Sequence, residues 1–127
     1  GNKKGVYIMI NVKDEVYAAL CTVTDNITDS YPRDWEQDLS IQYMEEDNKV
    51  VEYTDMKEQK AYVRYRIDIW HRKSTSAAAV AVDAAISKLG LLRTQCQDVD
   101  DPSGLKHKQL RYEMVIDVET KQVYHDI

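Results

Sequence analysis

The stretch AYVRYRIDIWHRKSTSAAAVAVDAAISKLG, residues 61–90, decides the fold because it holds the clearest strand and the clearest helix of the chain. Its first ten residues alternate, so that the apolar ones share one face and the polar or aromatic ones share the other. The apolar set is Ala61, Val63, Tyr65, Ile67 and Ile69, and the opposite set is Tyr62, Arg64, Arg66, Asp68 and Trp70. This period of two predicts a long strand at residues 61–70 with one buried face.

The second half of the stretch has the spacing of an amphipathic helix. Its apolar side consists of Ala78, Ala79, Val82, Ala85, Ile86 and Leu89. Ser74 or Ser76 can cap the first turn, and Gly90 stands where a left-handed residue commonly ends a helix. The strand and the helix are joined by the basic run at residues 71–73, which is either a site of chemistry or the corner of a scaffold.

The residues before this stretch predict one more helix and up to three strands. Apolar residues at helical spacing place a first helix at about residues 11–22. A short strand near Ile27 ends in a loop at Pro32, and alternation predicts a strand at about residues 38–45. The run EEDNK, residues 45–49, has turn composition, and Val50, Val51 and Tyr53 continue a hairpin from it. The polar residues 54–60 are predicted to be mobile.

The residues after the stretch complete the predicted order of elements. LLRTQCQ at 91–97 is typical of a strand and DVDDPSG at 98–104 of a loop. The last strand alternates Leu110, Tyr112, Met114, Ile116 and Val118 against polar neighbours. The order α–β–β–β–α–β–β predicts an α+β fold in which an antiparallel or mixed sheet carries two main helices packed on one face. We expect a single domain over residues 1–127.

Length, charge and cysteine content narrow the class of protein. A chain of 127 residues can bury a sizeable core without metal or disulfides. The net charge of −5 disfavours a general nucleic-acid coat. Cys21 and Cys96 lie far apart in sequence; a disulfide between them is one alternative, and two buried, reduced thiols are the expectation that we favour. No run reaches the length of a membrane span, and the first residues lack the pattern of a signal peptide, so we expect a cytosolic protein.

A search for catalytic and ligand-binding patterns predicts no catalytic residue, no cofactor and no metal site. The four glycines are not spaced to hold a phosphate. His71, His107 and His125 lie on separate segments without the spacing of metal ligands. A pairing of Cys96 with His107 across a hairpin is conceivable, but a reactive thiol needs an electropositive partner that the sequence does not show. The carboxylate clusters at residues 45–47 and 98–101 are typical of solvated loops.

The basic residues have two interpretations. Residues 71–73 and 106–108, together with Arg64, Arg66 and Arg111, form a positive patch for an anionic partner if the two long strands are neighbours. Alternatively, the arginines pair across strands with Asp68, Glu113 and Asp117 on the outward face. We favour pairing, because alternating charge is normal on an exposed sheet face.

Four motifs follow one another along nearly the whole chain: VYAAL in the opening helix, YP in the next loop, the block VRYRIDIWHRKSTSAAAVAVDAAISKLGLLR, and LKHKQLRYEMVID near the end. In this order they resemble the tail terminator (tail completion) proteins of long-tailed bacteriophages. In that family a strand of the R-x-x-I-D-I-W type leads through a polar corner into a helix. A glycine exit follows, and then a strand containing LRY, here Leu110, Arg111 and Tyr112.

The resemblance implies a structural minor tail protein of a phage or prophage that is not an enzyme. Such a protein caps the tail tube as a ring, expected to be a hexamer, ends polymerisation and offers a surface to the head-completion protein. The expected partners are therefore further copies of the chain, the major tail tube protein and the head-completion protein. No membrane and no specific nucleic-acid binding are expected, although DNA passes through such a ring. The implied location is the virion tail, and the host cytoplasm during assembly.

The contact candidates that follow from this reading lie mainly on the outward faces of the two long strands. They are Arg64, Arg66, Asp68, Trp70, Arg72, Arg111 and Glu113. The polar residues 45–60 are the candidate loop that orders on assembly. The alternative from another class is a ferredoxin-like cytosolic binding module for a small ligand or a protein partner. A small hydrolase or transferase is a third possibility, which no constellation of residues favours.

Overall fold

Six strands form one mixed sheet in the computed structural model, which describes residues 11–29, 39–54, 57–118 and 123–124. Two helices accompany the sheet, so the expected α+β class is confirmed. The elements in chain order are α1 (Lys13–Leu20), β1 (Ile27–Thr28), β2 (Leu39–Thr54), β3 (Lys57–His71), α2 (Ser76–Ser87), β4 (Leu92–Val99), β5 (Lys106–Asp117) and β6 (Val123–Tyr124).

The strand that opened the sequence analysis is at the centre of the sheet. The spatial order is β1–β2–β3–β5–β4, and β6 pairs with the far end of β5. The short β1 is parallel to β2, while the other pairings are antiparallel. β3 is therefore hydrogen-bonded along its length to β2 on one side and to β5 on the other.

The buried face of the sheet carries the side chains that alternation predicted. The odd-numbered residues 61–69 of β3 have no exposed surface, and the even-numbered residues 110–116 of β5 are at most 3% exposed. Val16 and Leu20 of α1 and Val82 and Ile86 of α2 belong to the same core. Burial of these apolar surfaces is the main stabilising contribution to the fold.

Two tyrosines lie fully inside this core and keep their hydroxyl groups hydrogen-bonded. Tyr65 donates to Glu45 at 2.6 Å, and Tyr112 donates to Asp83 of α2 at 2.8 Å. Burial, followed by the nearby carboxylates, raises the pKa of both hydroxyl groups. Both therefore stay protonated, and each can serve as a donor in an apolar environment.

The largest departure from the predicted fold is in β2. The turn predicted at residues 45–49 is wrong, because β2 continues from Leu39 to Thr54. The expectation of a mobile loop at residues 45–60 is also wrong for its described part, which is strand on both sides of positions 55–56. A central strand of 15 residues needs a hydrogen-bonding neighbour along its length, and this requirement outweighs the turn composition of EEDNK.

The ends of the helices agree with the predicted signals in part. α1 is shorter than expected, and α2 starts at Ser76 after the N-cap residue Thr75, whose side chain makes no capping hydrogen bond. Ser74 Oγ instead accepts the Ser76 backbone N–H at 3.1 Å. Gly90 has φ +96°, which confirms the left-handed exit. The loop predicted around Pro32 lies outside the described residues.

Candidate functional site

Three arginines on the open face of the sheet converge on one carboxylate, and together they form what we call the arginine cluster: Arg64, Arg66, Arg111 and Glu46. The Nε atoms of Arg64 and Arg111 lie 3.2 and 2.9 Å from Glu46 Oε1. Arg66 Nη1 and Arg111 Nη2 approach Glu46 Oε2 at 3.5 and 3.3 Å. One carboxylate therefore faces three guanidinium groups.

The register of three neighbouring strands brings these side chains together. Arg66 of β3 lies directly opposite Arg111 of β5 and Met44 of β2. On β2, Glu45 pairs with Tyr65 and Asp47 pairs with Arg64, which leaves Glu46 as the extra residue of a β-bulge. A bulge redirects the side chain of its extra residue. The side chain of Glu46 can therefore reach over the arginines, while Glu45 accepts the hydrogen bond of the buried Tyr65.

The charge of the cluster is strongly positive around a carboxylate that is only 14% exposed. Partial burial by itself raises the pKa of Glu46, but the hydrogen bond and charge of Arg111 and the charges of Arg66 and Arg64 outweigh it. The net effect is a Glu46 pKa below its ordinary value. The arginine side chains are 24–38% exposed, so their outer edges remain accessible to an anionic group.

The sequence predicted Asp68 as a contact on the outward face. The residue is instead only 3% exposed. Its carboxylate accepts hydrogen bonds from Arg66 at 2.9 Å, Gln109 at 3.1 Å and, through Nε2, His107 at 2.8 Å. The contact between Arg66 and Asp68 lies within β3 and is not the predicted pairing across strands. Across strands, Arg66 instead contacts Glu46 of β2. Buried and fully engaged, Asp68 is a structural residue rather than a direct contact for a partner.

Trp70 is likewise buried, at 4% exposed, so its prediction as an exposed contact is wrong. Its indole donates a hydrogen bond to Asp101 at 3.0 Å and stacks on the His107 ring at a centroid distance of 4.4 Å. Asp101 belongs to the loop between β4 and β5. The sequence predicted this loop at residues 98–104, whereas β4 continues to Val99, and the sequence did not show that the loop covers this end of the face. Alternation alone misjudged the exposure of Trp70, because it indicates the face on which a side chain lies and not what covers that face.

The remaining two candidates occupy different places. Arg72 is exposed in the corner between β3 and α2. Glu113 is half-buried, lies opposite Arg64 in the ladder and accepts a short hydrogen bond from Tyr62. The structure therefore brings together Arg64, Arg66 and Arg111, with Glu113 at the margin.

The basic corner at residues 71–73 is organised by hydrogen bonds between side chains and the backbone. His71 Nδ1 lies 2.8 Å from the Ser74 carbonyl oxygen, and Ser74 in turn holds the first turn of α2. These contacts fix the direction in which the chain leaves the sheet.

An open cleft of about 790 Å³ lies beside this corner, between the start of α2 and the loop after β4. Lys73, Lys106 and Lys108 line it together with Asp98, Asp100 and Asp101. Lys108 and Asp98 form an ion pair at 3.0 Å. Because the lining charges balance, the cleft offers no field of a single sign, in contrast to the arginine cluster.

The cysteines and histidines do not form a reactive site among the described residues. Cys21 and Cys96 are both exposed, which corrects the expectation of buried thiols. Cys96 lies opposite Leu110 in the ladder while His107 lies opposite Val99, so the conceivable pair between Cys96 and His107 is not formed. No group of three or more potential ligands there could hold a metal ion. None of the described helices is long and apolar enough to cross a bilayer.

Glu46 is the site residue that sequence reasoning missed, because it lies in the run interpreted as a turn. A signal for it exists: a strand of at least ten residues at 61–70 needs a partner of similar length. Extending the strand that begins near Leu39 to meet that need would have placed Glu46 beside the arginines. The bulge itself has no marker in the sequence.

The chain matches no protein-family model, and a search of the curated proteins returned no match.

Proposed function

We propose that this chain is a structural tail terminator protein that caps a phage or prophage tail tube as a ring, and that it has no enzymatic activity. The arginine cluster is the observation that carries the proposal beyond the sequence resemblance. Three partly exposed guanidinium groups around one carboxylate make a preformed, rigid surface for a carboxylate-rich partner.

The arrangement of the fold supports this role. In the proposed assembly the head-to-tail contacts of the closed ring use two different surfaces of each subunit, and the open sheet face remains available to the tail tube. The open face carries the arginine cluster, so we assign to it the contact with the last ring of tail tube protein. The ring is expected to be a hexamer, with a further surface for the head-completion protein, in the virion tail.

The test is tube capping with the tail tube protein of the same phage or prophage. Negative-stain images should show shorter tubes that end in a ring when the wild-type chain is added during polymerisation. Arg64→Glu reverses the charge of the most exposed arginine of the cluster and should abolish capping. Lys88→Glu is the matched control, because Lys88 is an exposed lysine at the C-terminal end of α2 and does not belong to the open face.

Unchanged tube lengths with the folded wild-type chain would overturn the proposal. Full capping by Arg64→Glu would remove the arginine cluster from the contact while leaving the capping role. The second candidate function, a ferredoxin-like binding module, is favoured by the cleft of about 790 Å³ beside α2. That candidate predicts no ring with or without tube protein, and protection of Lys73 and Lys106 from acetylation when its ligand is present.

A further inference from the structure

β4 is the end strand of the sheet and is unusually open. It pairs with β5 on one side and is the last strand of the spatial order. All eight of its residues are exposed or half-exposed, whereas every second residue of β5 between 110 and 116 is buried. Among the described residues no strand pairs with its outer edge, which therefore presents backbone donors and acceptors.

The strand also contains a bulge that determines how its side chains are spaced. Arg93 pairs with Tyr112 and Gln95 pairs with Arg111, the next residue of β5, so Thr94 is the extra residue. With Thr94 set aside, the ladder positions of β4 are occupied in order by Leu92, Arg93, Gln95, Cys96, Gln97, Asp98 and Val99. Cys96 is the middle one of these seven positions.

The side chains on the two sides of Cys96 are complementary to each other when two copies of β4 pair in the antiparallel direction. Gln95 meets Gln97, Arg93 meets Asp98, and Leu92 meets Val99 when two copies are aligned with Cys96 opposite Cys96. The pairs are amide with amide, cation with carboxylate and apolar with apolar, which are favourable cross-strand combinations. Because the bulge sets Thr94 aside, each of these residues stands as many ladder positions from Cys96 as the residue that it meets.

The faces of the sheet agree with this register. Arg93, Cys96 and Asp98 lie opposite Tyr112, Leu110 and Lys108, all on the face that carries the helices. Leu92, Gln95, Gln97 and Val99 lie opposite Glu113, Arg111, Gln109 and His107, all on the open face. Each pair therefore joins residues of one face, as direct opposition in an antiparallel ladder requires.

The charged pair extends an existing network. Arg93 is held by Asp83 of α2 at 3.0 Å, and Asp98, 80% exposed, is paired with Lys108 at 3.0 Å. Joining Arg93 of one copy to Asp98 of another gives a row of alternating charges across the contact. Four charges of alternating sign are better satisfied than two separate surface pairs.

The flank of α2 above β4 is suited to the same contact. Val80 and Ser87 share the helix face of Asp83, which contacts β4 through Arg93. Val80 is 71% exposed, the most exposed large apolar residue among those described, and Ser76 and Ser87 beside it are small and uncharged. A two-fold axis would place two antiparallel α2 helices side by side through these small residues.

We propose that the outer edge of β4 binds β4 of a second copy of this chain, antiparallel, about a two-fold axis at Cys96. The product is a dimer with one sheet running through both subunits. A two-fold contact uses the same edge of both subunits and ends there, unlike the head-to-tail contacts of a ring. The dimer is thus a separate state of the free protein, and it does not depend on the capping function.

The first test is oxidative cross-linking of the Cys21→Ser variant with diamide. Directly opposed residues of an antiparallel ladder have Cα atoms about 4.5–5.5 Å apart, within the range of a disulfide. Two Cys96 thiols form one S–S bond, and diamide accepts the two protons and two electrons. Non-reducing electrophoresis should show a covalent dimer that Cys96→Ser lacks. A chain that stays uncross-linked at concentrations where it is dimeric would overturn the register.

The second test introduces a charge at position 96, which lies on the two-fold axis, and needs no covalent bond. Cys96→Lys places two ammonium groups opposite each other and Cys96→Glu places two carboxylates, so each variant alone should dimerise about tenfold or more weakly than Cys96→Ser. An equimolar mixture of the two should recover the dimer, because lysine then meets glutamate. Light scattering behind size exclusion gives the mass, relative to 14.7 kDa for one chain.

Recovery in the mixture also shows that both variants are folded. Dimers of each variant alone with the strength of the Cys96→Ser dimer, or failure of the mixture to recover them, would overturn the proposal. A strictly monomeric wild-type chain up to near-millimolar concentration would do the same. None of these outcomes bears on tube capping, which is measured separately with the wild-type chain.

Discussion

At the scale of single residues, Glu46 is the most consequential side chain of the open face. It stands at a bulge, is only 14% exposed, and receives hydrogen bonds from three arginines. Removal of its charge leaves guanidinium groups crowded together without their shared acceptor. The cost of such a change is dominated by the partners that stay behind rather than by the lost contact itself.

Glu46→Gln should lower the free energy of unfolding at neutral pH by about 1–3 kcal/mol, because a partly buried charge is removed from three opposite charges. Chemical denaturation followed by circular dichroism measures this loss. Glu52→Gln is the control, since Glu52 is 48% exposed and lies 3.7 Å from Lys60. We expect the control to change stability by less than about 0.5 kcal/mol.

Glu46 also makes the stability of the folded protein depend on pH, in a direction that its lowered pKa determines. The folded pKa of Glu46 is lowered, so its contribution is present above the unfolded value of about 4.3 and is lost as the pH falls through the folded pKa. The stability difference between wild type and Glu46→Gln should therefore shrink as the pH is lowered below about 4. A difference that stays constant down to the acid transition would contradict the assigned ion pairs.

At the scale of elements, strand length and the helix exit decide how the chain is laid out. β2 runs through five consecutive polar residues because the neighbouring central strand requires a hydrogen-bonding partner. α2, in contrast, ends at Ser87 as its own sequence directs, shortly before a glycine with φ +96° at which the chain turns away. One element is determined by its neighbour and the other by its local chemistry.

Gly90→Ala should destabilise the protein by about 1 kcal/mol, because a residue with a Cβ is strained in the left-handed region. Gly90→Asn is the matched variant, since asparagine tolerates that region better, and it should lose less. The shift of the thermal midpoint for the two variants is the measurement. Equal losses for alanine and asparagine would argue that packing, rather than φ, determines this position.

At the scale of the whole molecule, one core joins β3, β5, α1 and α2, while the other sheet face is polar. Ile67 lies at the centre of this core with no exposed surface. Ile67→Ala should cost about 2–5 kcal/mol, because the methyl groups removed leave a cavity in a closely packed interior. Val51→Ala, at a residue 48% exposed on β2, should change stability by less than about 0.5 kcal/mol.

Equilibrium unfolding in urea checks this pair of variants. A single transition is expected for both, since the central strand belongs to every part of the core. A loss at Ile67 as small as that at Val51 would contradict the placement of β3 in the middle of the sheet.

The sequence determined those features that depend on local pattern. Alternation identified β3 and β5 and their buried faces, helical spacing identified α2, and Gly90 marked its end. The grouping of Arg64, Arg66 and Arg111 was also within reach, because residues on one face of two long strands become neighbours when the strands pair. The buried state of Asp68 and Trp70 was not, since alternation says which face a residue is on and not what covers that face.

Tertiary structure alone decided the remaining features. Residues 45–49 have turn composition, yet the hydrogen-bonding need of β3 extends them into a strand and produces the bulge at Glu46. The loop after β4 closes over Trp70 through Asp101, a contact between residues 31 positions apart. The bulge at Thr94, which makes the two halves of β4 match in an antiparallel pair of copies, likewise has no marker in the sequence. Each depends on which strands lie side by side, and pairing energy between distant segments leaves no local signal.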